Sequence, residues 1–224
     1  MLEKNLEVIQ ETVSKACASV NRSPKEVTLI GVTKSVTSNQ ARLLVQQGVT
    51  NLAENRVDSM LEKQAQLVDI PEITWHLIGT LQRRKVKDIV NQIDYFHALD
   101  NIKLAKEIQK RADHCIACFV QVNVSGEESK HGLNPPEVLE FVKELQSMDR
   151  IKVVGLMTMA PIDATEEELL QYFTQLKDLQ QQVKDLELSS APCLELSMGM
   201  SQDYPIAIKA GATCVRIGRA FFKE

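Results

Sequence analysis

The chain has 224 residues, 44% hydrophobic and 25% charged, with 26 Lys+Arg against 30 Asp+Glu for a formal net charge of −4. These are ordinary globular proportions, and the mild negative charge argues against a chain-wide basic footprint for nucleic acid. The charged start Met1-Leu2-Glu3-Lys4-Asn5-Leu6-Glu7 has no apolar signal region, and no run approaches the ~18 apolar residues of a membrane span. Five cysteines, an odd number, fit free thiols in a reducing cytoplasm better than a disulfide framework.

Leu6, Ile9, Val13, Ala16 and Val20 recur at helical spacing, which predicts a helix over residues 4–20. A β-rich run follows at 27–33, and Thr37-Ser38-Asn39 caps a helix ending near Gly48. Strand and helix then alternate: strand 50–53, helix 55–68, strand 73–78, helix 82–91, strand 93–98, helix 101–112, and a long apolar strand 115–124. After a polar loop over 125–134, Pro135-Pro136 opens a helix to about Gln146, as proline in a first turn does. Strand 151–157, helix 165–186, strand 193–196, helix 202–210 and strand 212–217 complete the series. The strands are near-continuously apolar, as buried parallel strands are. Eight strands, most followed by a helix, predict a single (β/α)8 TIM barrel over residues 1–224 behind an N-terminal helix. An open doubly wound sheet is the alternative.

In such a barrel the reactive groups sit at the carboxyl ends of the strands. Lys34 ends the first strand. A lysine desolvated at a barrel mouth is a candidate Schiff-base amine, against the plain reading of a solvated surface lysine. Ser197-Met198-Gly199-Met200-Ser201 is read as the loop after the seventh strand, and Arg216-Ile217-Gly218-Arg219 as the end of the eighth. Loops after strands 7 and 8 commonly hold phosphate in this fold, with small residues letting backbone N–H groups approach an anion. Two ordinary glycine turns would read the same way. His76, within Trp75-His76-Leu77-Ile78-Gly79-Thr80, reads as a structural histidine or a site residue, and His97 is equally ambiguous. Cys115-Ile-Ala-Cys118 has redox or metal spacing, but it lies in an apolar run without a second pair, so a buried strand is favoured. A nucleophilic lysine beside a phosphate cradle points to pyridoxal 5′-phosphate (PLP) or to a phosphorylated sugar in a Schiff-base aldolase.

Several pieces together resemble the PLP homeostasis protein family. They are Val32-Thr33-Lys34, Glu54-Asn55, Trp75-His76-Leu77-Ile78-Gly79-Thr80-Leu81-Gln82, Gln121-Val122-Asn123, Lys130-His131-Gly132, Gly155-Leu156-Met157-Thr158-Met159, Ser197-Met198-Gly199-Met200-Ser201-Gln202-Asp203 and Arg216-Ile217-Gly218. The resemblance runs in order from about residue 5 to the carboxyl end. It implies a barrel of the alanine racemase N-terminal domain type (PLP fold type III) with PLP as cofactor, held on Lys34 as a Schiff base. By the same resemblance Ser197, Met198, Gly199 and Ser201 lie at the phosphate end, adjoined by Gly218 and Arg219. Arg216 lies near the ring nitrogen, and Asn55, His76 and Met157 line the pocket. Lys130 is a second lysine on a mobile loop, an acceptor during PLP transfer. Many relatives carry another lysine two residues after the first, where this chain has Val36. The implied function is a non-catalytic, cytoplasmic, monomeric PLP carrier acting in vitamin B6 homeostasis, with apo PLP-dependent enzymes as partners and an effect on amino-acid and keto-acid balance. The alternative is a PLP-dependent amino-acid racemase, which needs an acid/base on each face of the substrate.

Overall fold

A helix opens the chain because Leu6, Ile9, Val13, Ala16 and Cys17 form one buried stripe along it. The computed structural model describes residues 1–223. This first helix, α1 (Leu2–Ala18), packs against the carboxyl-terminal elements α8 (Tyr204–Lys209) and α9 (Arg219–Phe222). Asn5 Nδ2 ties it down by donating to Phe221 O and Lys223 O, each at 2.9 Å.

Eight parallel strands close into a barrel in sequence order. They are β1 (Thr28–Val32), β2 (Asn51–Glu54), β3 (Thr74–Leu77), β4 (Tyr95–Leu99), β5 (Ile116–Gln121), β6 (Ile151–Met157), β7 (Glu195–Met200) and β8 (Cys214–Ile217). Closure comes from β1 pairing with β8, Thr28 opposite Cys214 through Gly31 opposite Ile217. The outer layer contains α2 (Ser38–Gln46), α3 (Val57–Gln66), α4 (Val86–Ile89), α5 (Ile102–Arg111), α6 (Val138–Leu145) and α7 (Glu166–Lys184). Thr37 starts α2 with a capping box to Gln40, and Thr165 starts α7 with one to Glu168. Each such box satisfies donors that the first helical turn leaves free.

The (β/α)8 expectation holds, and three local readings change. The helix expected over 82–91 is a four-residue α4 flanked by 3-10 turns at Arg83–Lys85 and Val90–Gln92. Val86, Ile89 and Val90 must all be buried, and the chain leaves α geometry at Ile89 (φ −127°) to do so. The strand expected to end at Leu196 instead runs on to Met200, so Ser197 and Met198 lie in the barrel wall rather than in a loop. Gly199 had the look of a loop residue. It sits at φ +96°, and a Cβ there would come within 2.7 Å of the Ala207 Cβ. Its role is to let the end of β7 pass close under α8. The third change is at Cys115, which is exposed before β5 begins while Cys118 is buried within it. Burial pushes the Cys118 thiol up, away from the thiolate that redox or metal work requires. Among the described residues no cluster of metal-ligating side chains occurs and no helix is long and apolar enough to cross a membrane.

The core of such a barrel is ordinarily stacked branched aliphatics. Here several inward positions are polar. Paired residues of parallel neighbours share a face, so the pairs His76–Tyr95, Met157–Ser197 and Ile30–Arg216 place His76, Ser197 and Arg216 inside the barrel. His97, two residues past Tyr95, joins them and stacks on Phe119 with ring centroids 4.2 Å apart.

Candidate functional site at the barrel mouth

A cavity of about 470 Å³ opens at the carboxyl ends of the strands. Val32 and Lys34 reach it from β1, Asn55 from β2, Ile78, Gly79 and Thr80 from β3, and Gln121 from β5. Met159 and Ile162 follow β6, Met200, Ser201 and Gln202 end β7, and Arg216, Gly218 and Arg219 come from β8 and its exit.

Lys34 is exposed and is the second residue of a tight turn, closed by the Val36 N–H donating to Thr33 O at 3.1 Å. Gly79 makes room on the adjacent wall: a Cβ there would sit 2.1 Å from Asn55 O, a backbone atom that cannot yield. Ser201 Oγ accepts from the N–H groups of Gly218 and Ala220, each at 3.3 Å. That bond brings the exits of β7 and β8 together, so a hydroxyl, two backbone donors and the Arg219 side chain share one corner.

Arg216 lines the cavity floor although it is only 3% exposed. Its Nη1 donates to Ser197 Oγ at 2.6 Å and its Nη2 to Thr158 O at 2.8 Å. Burial lowers its pKa to about 10, with the nearby Asp203 acting in the opposite direction, so it remains a cation at neutral pH. No carboxylate lies within ion-pair distance of it among the described residues. The nearby Asp203 is itself held above its usual range by burial, despite accepting from Met200 N at 2.6 Å. The floor of the cavity is therefore a cation with neutral contacts.

Behind Arg216 a hydrogen-bond relay crosses the barrel interior. Ser197 Oγ meets His97 Nδ1 at 2.9 Å, His97 Nε2 meets His76 Nδ1 at 2.9 Å, and His76 Nε2 meets Asn51 Oδ1 at 2.9 Å. Arg216 can only donate and Asn51 Oδ1 can only accept. The direction follows: Arg216 donates to Ser197, Ser197 to His97, His97 to His76 and His76 to Asn51, with each imidazole carrying its proton on Nε2. Burial pushes the His76 pKa down to about 3, and His97 falls well below 6.5 through burial and then the neighbouring His76 and Arg216. Both rings are neutral at physiological pH.

Of the residues singled out from sequence, the cavity collects Lys34, Asn55, Ser201, Arg216, Gly218 and Arg219. His76, Met157, Ser197, Met198 and Gly199 are buried and are not part of its lining. The hydroxyl of Ser197 is committed to Arg216 and His97 because β7 carries it into the barrel. Lys130 is half-buried beside Glu127, 3.9 Å from Oε2, and its neighbour His131 is the residue that lines the cavity. Sequence reasoning did not select Thr80, Gln121, His131, Met159, Ile162, Met200 or Gln202 as site residues. Gln121 was within reach of a period-two count from Phe119, whereas His131, Met159 and Ile162 depend on loop paths that no local pattern fixes.

Comparison with known proteins agrees with the barrel fold. The family model for the alanine racemase N-terminal domain matches residues 2–224. The pyridoxal phosphate homeostasis protein of Aquifex aeolicus is 36% identical over 224 residues, covering 99% of this chain and 97% of the relative. That of Pasteurella multocida is 35% identical over 229 residues, covering 99% and 96%. Among solved structures, PipY of Synechococcus elongatus with PLP bound superposes with a TM-score of 0.84 at 30% identity, covering 94% of this chain and 100% of PipY. An alanine racemase of Clostridium difficile superposes at 0.79 with 15% identity, covering all of this chain and 56% of the racemase, a likeness of fold. The chain belongs to the pyridoxal phosphate homeostasis protein family, built on the alanine racemase N-terminal domain barrel.

Proposed function

We propose that this chain holds PLP through Lys34 at the barrel mouth and serves as a carrier in intracellular PLP (vitamin B6) homeostasis rather than as a racemase. The observation that carries this reading is a single cavity uniting the Lys34 amine, the Ser201–Gly218–Arg219 corner and the Arg216 floor. Its volume of about 470 Å³ lies within the ordinary range for small cofactor sites. The names of the relatives and the PLP bound to PipY supply the ligand.

When bound, PLP supplies an aldehyde that a lysine amine holds covalently and reversibly. Lys34 provides that amine. Ser201, Gly218 and Arg219 would hold the phosphate. Arg216 would face the ring nitrogen, where a fixed positive charge disfavours a second one. A ring kept neutral there withdraws electrons poorly, which suits storage over carbanion chemistry. Lys34 is itself exposed, so water reaches the mouth freely, and this suits exchange better than catalysis.

Racemisation needs a second acid/base opposite the lysine. Tyr95 stacks on His76 inside the barrel at 4.6 Å, Tyr172 lies on α7, and Tyr204 is buried at the start of α8. Among the described residues the cavity lining contains no tyrosine. The five free cysteines fit a cytoplasmic site of action, with apo PLP-dependent enzymes as the recipients.

The test is to mix wild type and Lys34→Ala with PLP, desalt, and record visible spectra. Wild type retains the lysine-linked absorbance and the variant loses it; equal retention by both removes Lys34 from its role. Deuterium exchange at Cα of L-amino acids decides carrier against enzyme, and rapid exchange dependent on Lys34 would overturn the carrier reading.

A further inference from the structure

Outside the barrel wall, directly behind the cavity, lies a buried ion pair that the ligand site does not use. Lys63 of α3 is 7% exposed and Glu54 at the end of β2 is fully buried. Lys63 Nζ donates to Glu54 Oε1 at 2.7 Å and to the carbonyl oxygen of Thr33 at 2.8 Å. Thr33 Oγ1 donates to the same Glu54 oxygen at 2.6 Å. Glu54 Oε2 is buried with no partner among the described residues. A lysine and a glutamate in this position are an expensive way to fill space, because desolvating both charges offsets most of their attraction and apolar side chains of similar size would serve stability as well.

The chain positions show what the pair accomplishes. Glu54 is followed by Asn55 and Thr33 by Lys34, and both followers line the cavity. Thr33 O also accepts the Val36 N–H at 3.1 Å that closes the turn on which Lys34 sits. One ammonium thus grips the first carbonyl of the Lys34 turn and the carboxylate preceding Asn55. It locks the ends of β1 and β2 together from behind.

We infer that Lys63 and Glu54 are positioning residues for Lys34, holding the turn that aims its amine into the cavity. The inference rests on Lys34 being the PLP-bearing residue, and it adds the device that orients that residue. Placement of a reacting group matters steeply, since small displacements lower rates by large factors. A carrier whose reactive lysine stands in an exposed turn has few other ways to keep it aimed. The clamp fixes the backbone and leaves the amine free in the open mouth.

The experiment uses the full chain with Glu54→Gln/Lys63→Met, which removes both charges together and leaves no buried ion unpaired. Two readouts are taken. In PLP-free protein, amide hydrogen exchange is compared at Val36 and at the core amide of Leu156. With PLP added, the rate of appearance of the lysine-linked absorbance is followed. The clamp predicts Val36 exchange faster by about tenfold with Leu156 unchanged, and PLP capture slower by about tenfold. Wild-type exchange at Val36 overturns the clamp, as does an equal rise at both amides, which would mark a general loss of stability. Faster Val36 exchange with unchanged PLP capture overturns the positioning role. Thr33→Val is the milder second variant should the double variant not fold: it deletes only the hydroxyl contact, shifts both readouts in the same direction by about threefold, and counts against the proposal if it shifts neither. If wild type itself takes up no PLP, the proposed function fails, and the exchange comparison still decides the clamp.

Discussion

Two buried polar networks flank the cavity, and they are built on opposite principles. The relay inside the barrel, Asn51–His76–His97–Ser197–Arg216, consists of neutral groups ending in one cation. Every link has a donor and an acceptor, and the charge at its end is left for the cavity. The clamp outside the barrel, Thr33–Glu54–Lys63, carries two opposite charges that cancel, with one carboxylate oxygen unpartnered. The relay presents its charge to the cavity, while the clamp consumes its charges on one another and delivers only geometry. A buried charge in this protein is therefore legible by whether a counterion touches it. Where none does, at Arg216, the cation faces the cavity.

The contrast can be broken most sharply at the clamp. Lys63→Met alone strands the buried Glu54 carboxylate, and the expected loss of unfolding free energy is about 3–5 kcal/mol by urea denaturation. A loss below about 1 kcal/mol would mean that the buried pair contributes no more than an exposed one. At the relay, Ser197→Ala removes a hydroxyl without stranding a carboxylate, so the expected cost is smaller, about 1–3 kcal/mol. It also frees Arg216 Nη1, so weaker PLP retention should accompany it; full retention would show that Thr158 O alone suffices to hold the guanidinium.

The smallest effect is the dependence on acid. Both relay imidazoles are neutral when folded, with the His76 pKa at about 3 and His97 well below 6.5. Unfolded, each titrates near 6.5. Below that pH the unfolded chain binds more protons, so the relay's contribution is intact above about 6.5 and declines as the pH falls toward the folded values. Going from about pH 7 to about pH 6 should cost about 0.7 kcal/mol per histidine. Replacing His76 and His97 with glutamine should flatten that part of the profile; an unchanged slope would assign it to other groups.

How far the sequence reached can be seen in particular elements. Strands β1 to β6 were readable because branched apolar runs alternate with amphipathic helices, and β6 matches its predicted span of 151–157. Strand β7 was cut short because Gly199, two methionines and two serines look locally like a turn. The pairing of Met200 with Arg216 on β8 extends it, and no local pattern encodes that contact. Lys34, Ser201 and Gly218 could be placed by counting strand ends together with the family resemblance. The relay could not: His76 and His97 are 21 residues apart, and Ser197 is 100 from His97. Pairing of β3 with β4 brings the two histidines together, and only the curvature of the closed barrel brings β7 across to β4. The clamp was missed for a related reason: Lys63 is buried on α3 with Val57 and Met60, but a lysine on an amphipathic helix reads as a surface charge.

Closure of β1 onto β8 has a consequence for the order of events during synthesis. Lys34 leaves the ribosome before any of Arg216, Gly218 and Arg219 is made. The lysine is therefore unaimed while strands β2 to β8 are being made, with the opposite wall of the cavity still absent. Ligand capture becomes a report that the ring of strands is complete. A chain interrupted before β8 would lack the cavity floor and the Gly218–Arg219 corner at once, however well its first seven strands had formed.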